Sequence, residues 1–130
     1  MWLSRARLKY GKLDNEQIVE EDLKKIGYEI IYPELLSLRE QVALISTSAV
    51  VAGSDGSAFF SLLFAKEIYG NFFVFNRRKN IPPTIPYVFQ KRNVQFEQHT
   101  FDLELVNKGP ISIFHHPNPH QITDILKSAL

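Results

Sequence analysis

The sequence predicts an α/β fold built on a mostly parallel sheet, and three observations carry that expectation. Short apolar or β-branched runs alternate with amphipathic segments of helical length. One of those runs, Ala49-Val50-Val51-Ala52, is apolar without interruption, as a strand covered on both faces must be. Glycine or proline stands at several of the junctions: Gly27, Pro33, Gly53 and Gly56.

Taken in order, Trp2-Leu3 reads as a short first strand running into a basic loop with Arg5, Arg7, Lys9 and Lys12. From Asn15 to Ile26, Ile18, Val19, Leu23 and Ile26 fall on one helical face. Asp14 is placed to cap that helix with Gln17 reciprocating, Leu13 and Ile18 to staple it, and Gly27 to end it. Tyr28–Tyr32 is a strand closed by Pro33. A second helix starts at Ser37, with Glu40 completing a capping box and Leu38, Val42 and Ile45 on one face. The strand Ala49–Ala52 leads into the turn Gly53-Ser54-Asp55-Gly56. Ser57–Ala65, apolar nearly all round, is expected to be a deeply packed helix, and Asn71–Phe75 another buried strand. This order describes repeated right-handed βαβ units in a Rossmann-like, three-layer fold. In a single domain of 1–130, residues 1–76 form the βαβ core. Residues 77–110, interrupted by Pro82, Pro83 and Pro86, form an irregular excursion or hairpin, and 111–130 a closing strand (Ile111–Phe114) and a helix capped by Asn118.

Composition narrows the function classes. A 45% hydrophobic and 22% charged chain has enough apolar material for a core. A net charge of +1 predicts no general attraction to nucleic acid or membrane. The absence of cysteine excludes thiolate nucleophiles, thiolate metal sites and disulfides, and suits a cytoplasmic location. No apolar run approaches the length of a membrane span.

Ligands of open parallel sheets bind beyond the carboxyl ends of the strands. Two loops there have suitable chemistry. In Gly53-Ser54-Asp55-Gly56-Ser57 the glycines allow close backbone approach, and the following helix offers unpaired N–H groups to a phosphate. The same pattern also describes a plain tight turn. In the loop after the first strand, Arg5 is best placed for a diphosphate, which a guanidinium can grip with two parallel hydrogen bonds.

Ser4-Arg5, Asn15-Glu16, Gly27-Tyr28-Glu29, Pro33, Leu36-Ser37, Gln41, Val50–Gly53, Gly56-Ser57-Ala58 and Leu62-Leu63-Phe64, in that order, resemble glycosyltransferase family 61. Bacterial members of that family are often described as capsular polysaccharide biosynthesis proteins. The resemblance implies an inverting, nucleotide-sugar-dependent transferase of two facing Rossmann-like domains (a GT-B arrangement), of which this chain is the C-terminal, donor-binding half. It implies that Arg5 contacts the diphosphate, that Asn15 and Glu16 organise the loop beneath it, and that the Gly53–Ala58 turn, with Gly53, Ser54, Asp55, Gly56 and Ser57, holds the donor through backbone N–H groups. A glycan acceptor and the catalytic base would come from a missing N-terminal half or a partner chain. No cofactor or metal is expected, and no catalytic residue is assigned.

Asp55 departs from the family pattern, in which many members carry histidine, and a carboxylate there would compete with an anion unless it caps its helix or binds a hydroxyl. A domain without its partner would expose apolar surface through which it could self-associate. The alternative function is a non-catalytic nucleotide-binding or assembly module. His115, His116 and His120 suggest a metal less than an ordinary strand-to-helix loop, and His99 a hydrogen-bonded surface residue. Arg77, Arg78 and Lys79 read as a solvated cluster and the phenylalanines around 59–75 as core. Tyr87 and Phe89 are candidates for stacking on a base or facing another domain.

Overall fold

The structure is a computed structural model and describes residues 1–107 and 112–130. In chain order its elements are β1 (Trp2–Leu3), β2 (Lys12–Leu13), α1 (Glu16–Lys25), β3 (Ile30–Ile31), a 3-10 turn (Pro33–Leu35), α2 (Leu38–Thr47), β4 (Val50–Ser54), a 3-10 helix (Ser57–Phe64), β5 (Asn71–Asn76), α3 (Thr84–Lys91), β6 (Phe96–Thr100), β7 (Glu104–Leu105), β8 (Ile113–His115) and α4 (His120–Lys127). Five strands form an all-parallel sheet in the order β3-β1-β4-β5-β6. The chain therefore starts at β1, winds one way to β3, then crosses back to β4 and proceeds the other way. This is a Rossmann-like fold of three layers, with the reversal between β1 and β4.

Strand alternation divides the interior into two cores. Trp2, Ala52, Phe73 and Phe75 face α1 and α4, meeting Val19, Leu23, Ile122 and Leu126. Leu3, Val51, Phe72 and Val74 face α2, the 3-10 helix and α3, meeting Ile45, Phe59, Leu62 and Phe89. A small second sheet, β2-β8-β7, pairs β2 parallel with β8 and β8 antiparallel with β7, and ties the basic loop to the C-terminal region.

Several local expectations are corrected. The buried face of α1 is Glu16, Val19, Glu20 and Leu23, while Ile18 is exposed. Asp14 does not cap this helix; Asn15 occupies the cap position without a side-chain bond, because its amide bridges the backbone N and O of His116. The third strand shrinks to Ile30–Ile31. Gly27 ends α1 at φ +93°, and Ser37 and Glu40 form the expected reciprocal capping box on α2. On α2 only Ile45 is buried, and Leu38 is exposed.

Ser57–Phe64 is a 3-10 helix rather than an α-helix. With three residues per turn, Phe59, Leu62 and Ala65 line up on the inner face, and Phe60, Leu63 and Phe64 turn outward. The segment is therefore not packed all round.

The stretch expected to be irregular carries both α3 and the fifth sheet strand, β6. Pro86 is compatible with α3 because it lies in the first turn, where a backbone N–H has no helical acceptor. Phe89 is fully buried against Phe59, Phe72 and Phe96, so it cannot stack on a ligand, whereas Tyr87 is exposed. At the C-terminal end Pro119, not Asn118, stands at the cap of α4. Ile111, expected in the closing strand, lies outside the described residues, as do 108–110.

Candidate ligand site at the strand reversal

Because all five strands of the main sheet run parallel, Ser4-Arg5, Ser54-Asp55 and Asn76-Arg77 leave it along one edge. Where β1 and β4 diverge there is a cleft of about 170 Å³ lined by Leu3, Ser4, Arg5, Leu8, Pro33, Glu34, Gln41, Ser54, Ser57 and Ala58. Gly53 sets the spacing underneath: a Cβ there would lie 3.0 Å from both Cβ and the carbonyl oxygen of Leu3, so no larger residue lets the two strands approach this closely.

Arg5 is half-buried at the mouth of this reversal. Its Nε donates to the carbonyl of Gly11 at 2.6 Å, and the same carbonyl accepts from Nη1 of Arg77, also at 2.6 Å. Gly11 sits at φ +63°, and a Cβ on it would press on both guanidinium groups. The other side of the Arg5 head lies against Gly56, where a Cβ would come within 2.2 Å of Nη1. Neither terminal nitrogen of Arg5 donates a hydrogen bond among the described residues. Burial first, and the Arg77 guanidinium second, lower the pKa of Arg5, against the opposing pull of Glu16, Asp55 and Glu34.

Arg77 is the most thoroughly bound cation here, and this corrects its reading as part of a solvated cluster. It is 8% exposed and Asp55 4%. One Asp55 oxygen accepts from the Arg77 backbone N at 2.9 Å and from its Nε at 3.0 Å, while Nη2 donates to the Asp55 carbonyl at 2.6 Å. Asp55 is thus neither a helix cap nor exposed to a ligand; its side chain is occupied by the next loop, and the position capping the 3-10 helix is Gly56. Arg78 is exposed, and Lys79 pairs with Asp102 at the surface.

Beneath the Arg5 loop α1 presents two buried carboxylates four residues apart. Oε1 of Glu16 accepts from the backbone N of Arg5 at 3.0 Å and from the Trp2 indole at 3.1 Å, while Oε2 has no partner among the described residues. Burial pushes the Glu16 pKa up to about 7, with those two hydrogen bonds opposing the rise. Glu20 accepts from the Ser4 hydroxyl at 2.6 Å and from Tyr32 at 2.9 Å, and the Arg7 guanidinium stacks 4.0 Å above the Tyr32 ring.

Of the residues singled out in the sequence, Arg5, Ser54 and Ser57 line the cleft, Gly56 borders Arg5, and Glu16 and Gly53 shape its floor from below. Asn15 and Asp55 point elsewhere, to His116 and Arg77. Ala58, the end of the Gly53–Ala58 turn, lines it too, and Leu8 and Glu34 join the lining without having been assigned to it. So do Pro33 and Gln41, which the family pattern already contained; the Gln41 amide donates to the carbonyls of Pro33 and Leu36. The C-terminal histidines do not converge. His115 pairs with Asp14 at 2.8 Å, His120 with Asp22, and His116 is buried, with its pKa lowered by that burial. No group of three or more His, Cys, Asp or Glu side chains among the described residues could hold a metal.

The part of the chain that builds this site can be compared with known families. The model of glycosyltransferase 61 matches residues 1–68, just over half of the chain and every lining residue of the cleft. The chain belongs to the glycosyltransferase 61 family. No curated protein and no solved structure matches it. The region matched by glycosyltransferase 61 ends before β5, so Arg77, which bonds to the same carbonyl as Arg5, lies beyond it. Among the described residues no helix is long and apolar enough to cross a membrane.

Proposed function

We propose that this chain binds the nucleotide-sugar donor of an inverting glycosyl transfer in polysaccharide biosynthesis, with Arg5 holding the diphosphate. One observation carries the reading: a guanidinium anchored through Nε, with both terminal nitrogens unpaired among the described residues, at the strand reversal of a family-matched Rossmann-like fold. As the bond from the sugar to the diphosphate breaks, the leaving diphosphate gains negative charge. A fixed cation then binds the transition state more strongly than the ground state. Ser57, Gln41 and Glu34 supply the hydroxyl, amide and carboxylate groups that sugar or ribose hydroxyls require.

The cleft is smaller than the roughly 300 Å³ at which small-molecule pockets usually begin, so a whole donor needs further walls, and Glu34 is the one carboxylate lining it. Both features support a half-site that needs an acceptor-binding partner to complete catalysis. The outward residues Phe60, Leu63 and Phe64 favour a second reading, a non-catalytic nucleotide-binding or assembly module.

Thermal unfolding with uridine and guanosine diphosphates tests both. One of them is expected to raise Tm, and Arg5→Ala to abolish the shift; at one hundred times Kd the lost stabilisation is about 2.7 kcal/mol. No shift with either leaves the assembly reading alone. Sugar transfer or donor hydrolysis by the 130-residue chain by itself contradicts the half-site.

A further inference from the structure

We infer that Arg77, locked by Asp55, is a positioning residue that fixes the Arg5 guanidinium through the Gly11 carbonyl; its relevance to a ligand rests on the proposal that Arg5 grips a diphosphate. The geometry is a relay of three groups. Asp55 immobilises Arg77 at its backbone N and its Nε, and the Asp55 carbonyl takes Nη2, which leaves Nη1 as the one Arg77 nitrogen directed at Gly11. That carbonyl then receives Arg5 Nε from the other side. A carbonyl oxygen has two lone pairs, so it can hold both donors, and doing so sets the distance between the two cations.

The chemistry of the two arginines differs although they share an acceptor. Arg77 has its charge matched by the adjacent Asp55 carboxylate, at 3.0 Å. Among the described residues no carboxylate bonds the Arg5 guanidinium; Glu16 touches only its backbone N. The positive charge left over is therefore localised on Arg5, with Nη1 and Nη2 held between Gly11 and Gly56. A guanidinium fixed in this way meets a diphosphate without losing the side-chain freedom that a mobile arginine would surrender. The relay also assigns Asp55 a purpose compatible with anion binding, since its carboxylate is consumed by Arg77.

Lysine in place of Arg77 keeps the charge but has one nitrogen, which cannot reach Asp55 and Gly11 together in the same fork. The test reads Arg5 directly by following its Nε–H resonance in ¹⁵N-labelled protein, assigned by its loss in Arg5→Lys. In the wild type that proton is expected to exchange about tenfold or more slowly relative to that of exposed Arg78, and Arg77→Lys to remove the protection. Gly11→Ala, which acts from the carbonyl side in a surface loop, carries the same prediction and serves if Arg77→Lys does not fold. Titration with uridine and guanosine diphosphates should show a Kd about tenfold weaker for Arg77→Lys, equivalent to about 1.4 kcal/mol.

Retained protection of the Arg5 proton in a folded Arg77→Lys or Gly11→Ala protein overturns the inference, as does a wild-type proton no slower than that of Arg78. Loss of protection without binding of either diphosphate upholds the positioning role and overturns only the nucleotide reading.

Discussion

The loops leaving β1 and β5 bring two arginines to one carbonyl, that of Gly11, and leave them in opposite states. The β5 loop is closed: Arg77 is buried and every part of its guanidinium is bonded to Asp55 or Gly11. The β1 loop is open: Arg5 is anchored at one nitrogen, and the carboxylates beneath it, Glu16 and Glu20, spend their hydrogen bonds on Arg5 N, Trp2, Ser4 and Tyr32. Residue type does not separate a fully paired arginine from a partly free one. What separates them is whether a carboxylate reaches the side chain.

The largest disturbance of this contrast should come from Asp55→Ala. It strands a buried cation and is expected to cost about 3 to 5 kcal/mol in chemical denaturation, with the loss concentrated in the closed loop. A cost below about 1 kcal/mol would mean that water or another carboxylate takes over.

On the open side, pH is the probe. The folded pKa of Glu16 is raised to about 7 from 4.5, so the fold favours its neutral form. That stabilisation is complete below about pH 4.5 and is lost as pH rises through about 7, a span of roughly 3 kcal/mol. Glu16→Gln should flatten this part of the stability profile and be the more stable protein above neutrality, as urea titrations from pH 5 to 8 would show; an unchanged slope would place the titration elsewhere.

The smallest effect is expected at the exposed part of the β5 loop, away from the Gly11 carbonyl. Lys79 and Asp102 form an ion pair at 3.0 Å, the same length as that of Asp55 and Arg77, yet both side chains are more than four-fifths exposed. Lys79→Ala should therefore change stability by no more than about 0.5 kcal/mol by denaturant unfolding.

Much of the frame was readable from local pattern. The runs at Trp2, Val50 and Phe72 are strands, Gly27 and the Ser37–Glu40 pair bound helices, and Arg5 lies beside the glycine turn. What escaped was set by partners distant in sequence. Asp55 and Arg77 are 22 positions apart and meet only because β4 and β5 are neighbours in register. On the inner face of α1, Val19, Leu23 and Ile26 are where periodicity puts them, but periodicity counts Glu16 and Glu20 as solvent-facing, whereas Trp2, Ser4 and Tyr32 supply them with donors inside. The second sheet joins residues about a hundred positions apart through strands of two or three residues, too short to show alternation. The prolines at 82, 83 and 86 obscured α3, since their meaning depends on falling before or inside the first turn.

One feature bears on how sequence variation can be accommodated. β1 has only two residues, and each serves a different interior, Trp2 toward α1 and α4, Leu3 toward α2 and the 3-10 helix. Such a strand has no spare position. Shifting it by one residue would put Leu3 in the place of Trp2 and Ser4 in the place of Leu3, and carry Arg5 away from Gly11. A two-residue strand at the centre of both cores thus has little freedom to drift, and the arginine that follows it inherits its starting point from two packing constraints before the Gly11 carbonyl fixes its head.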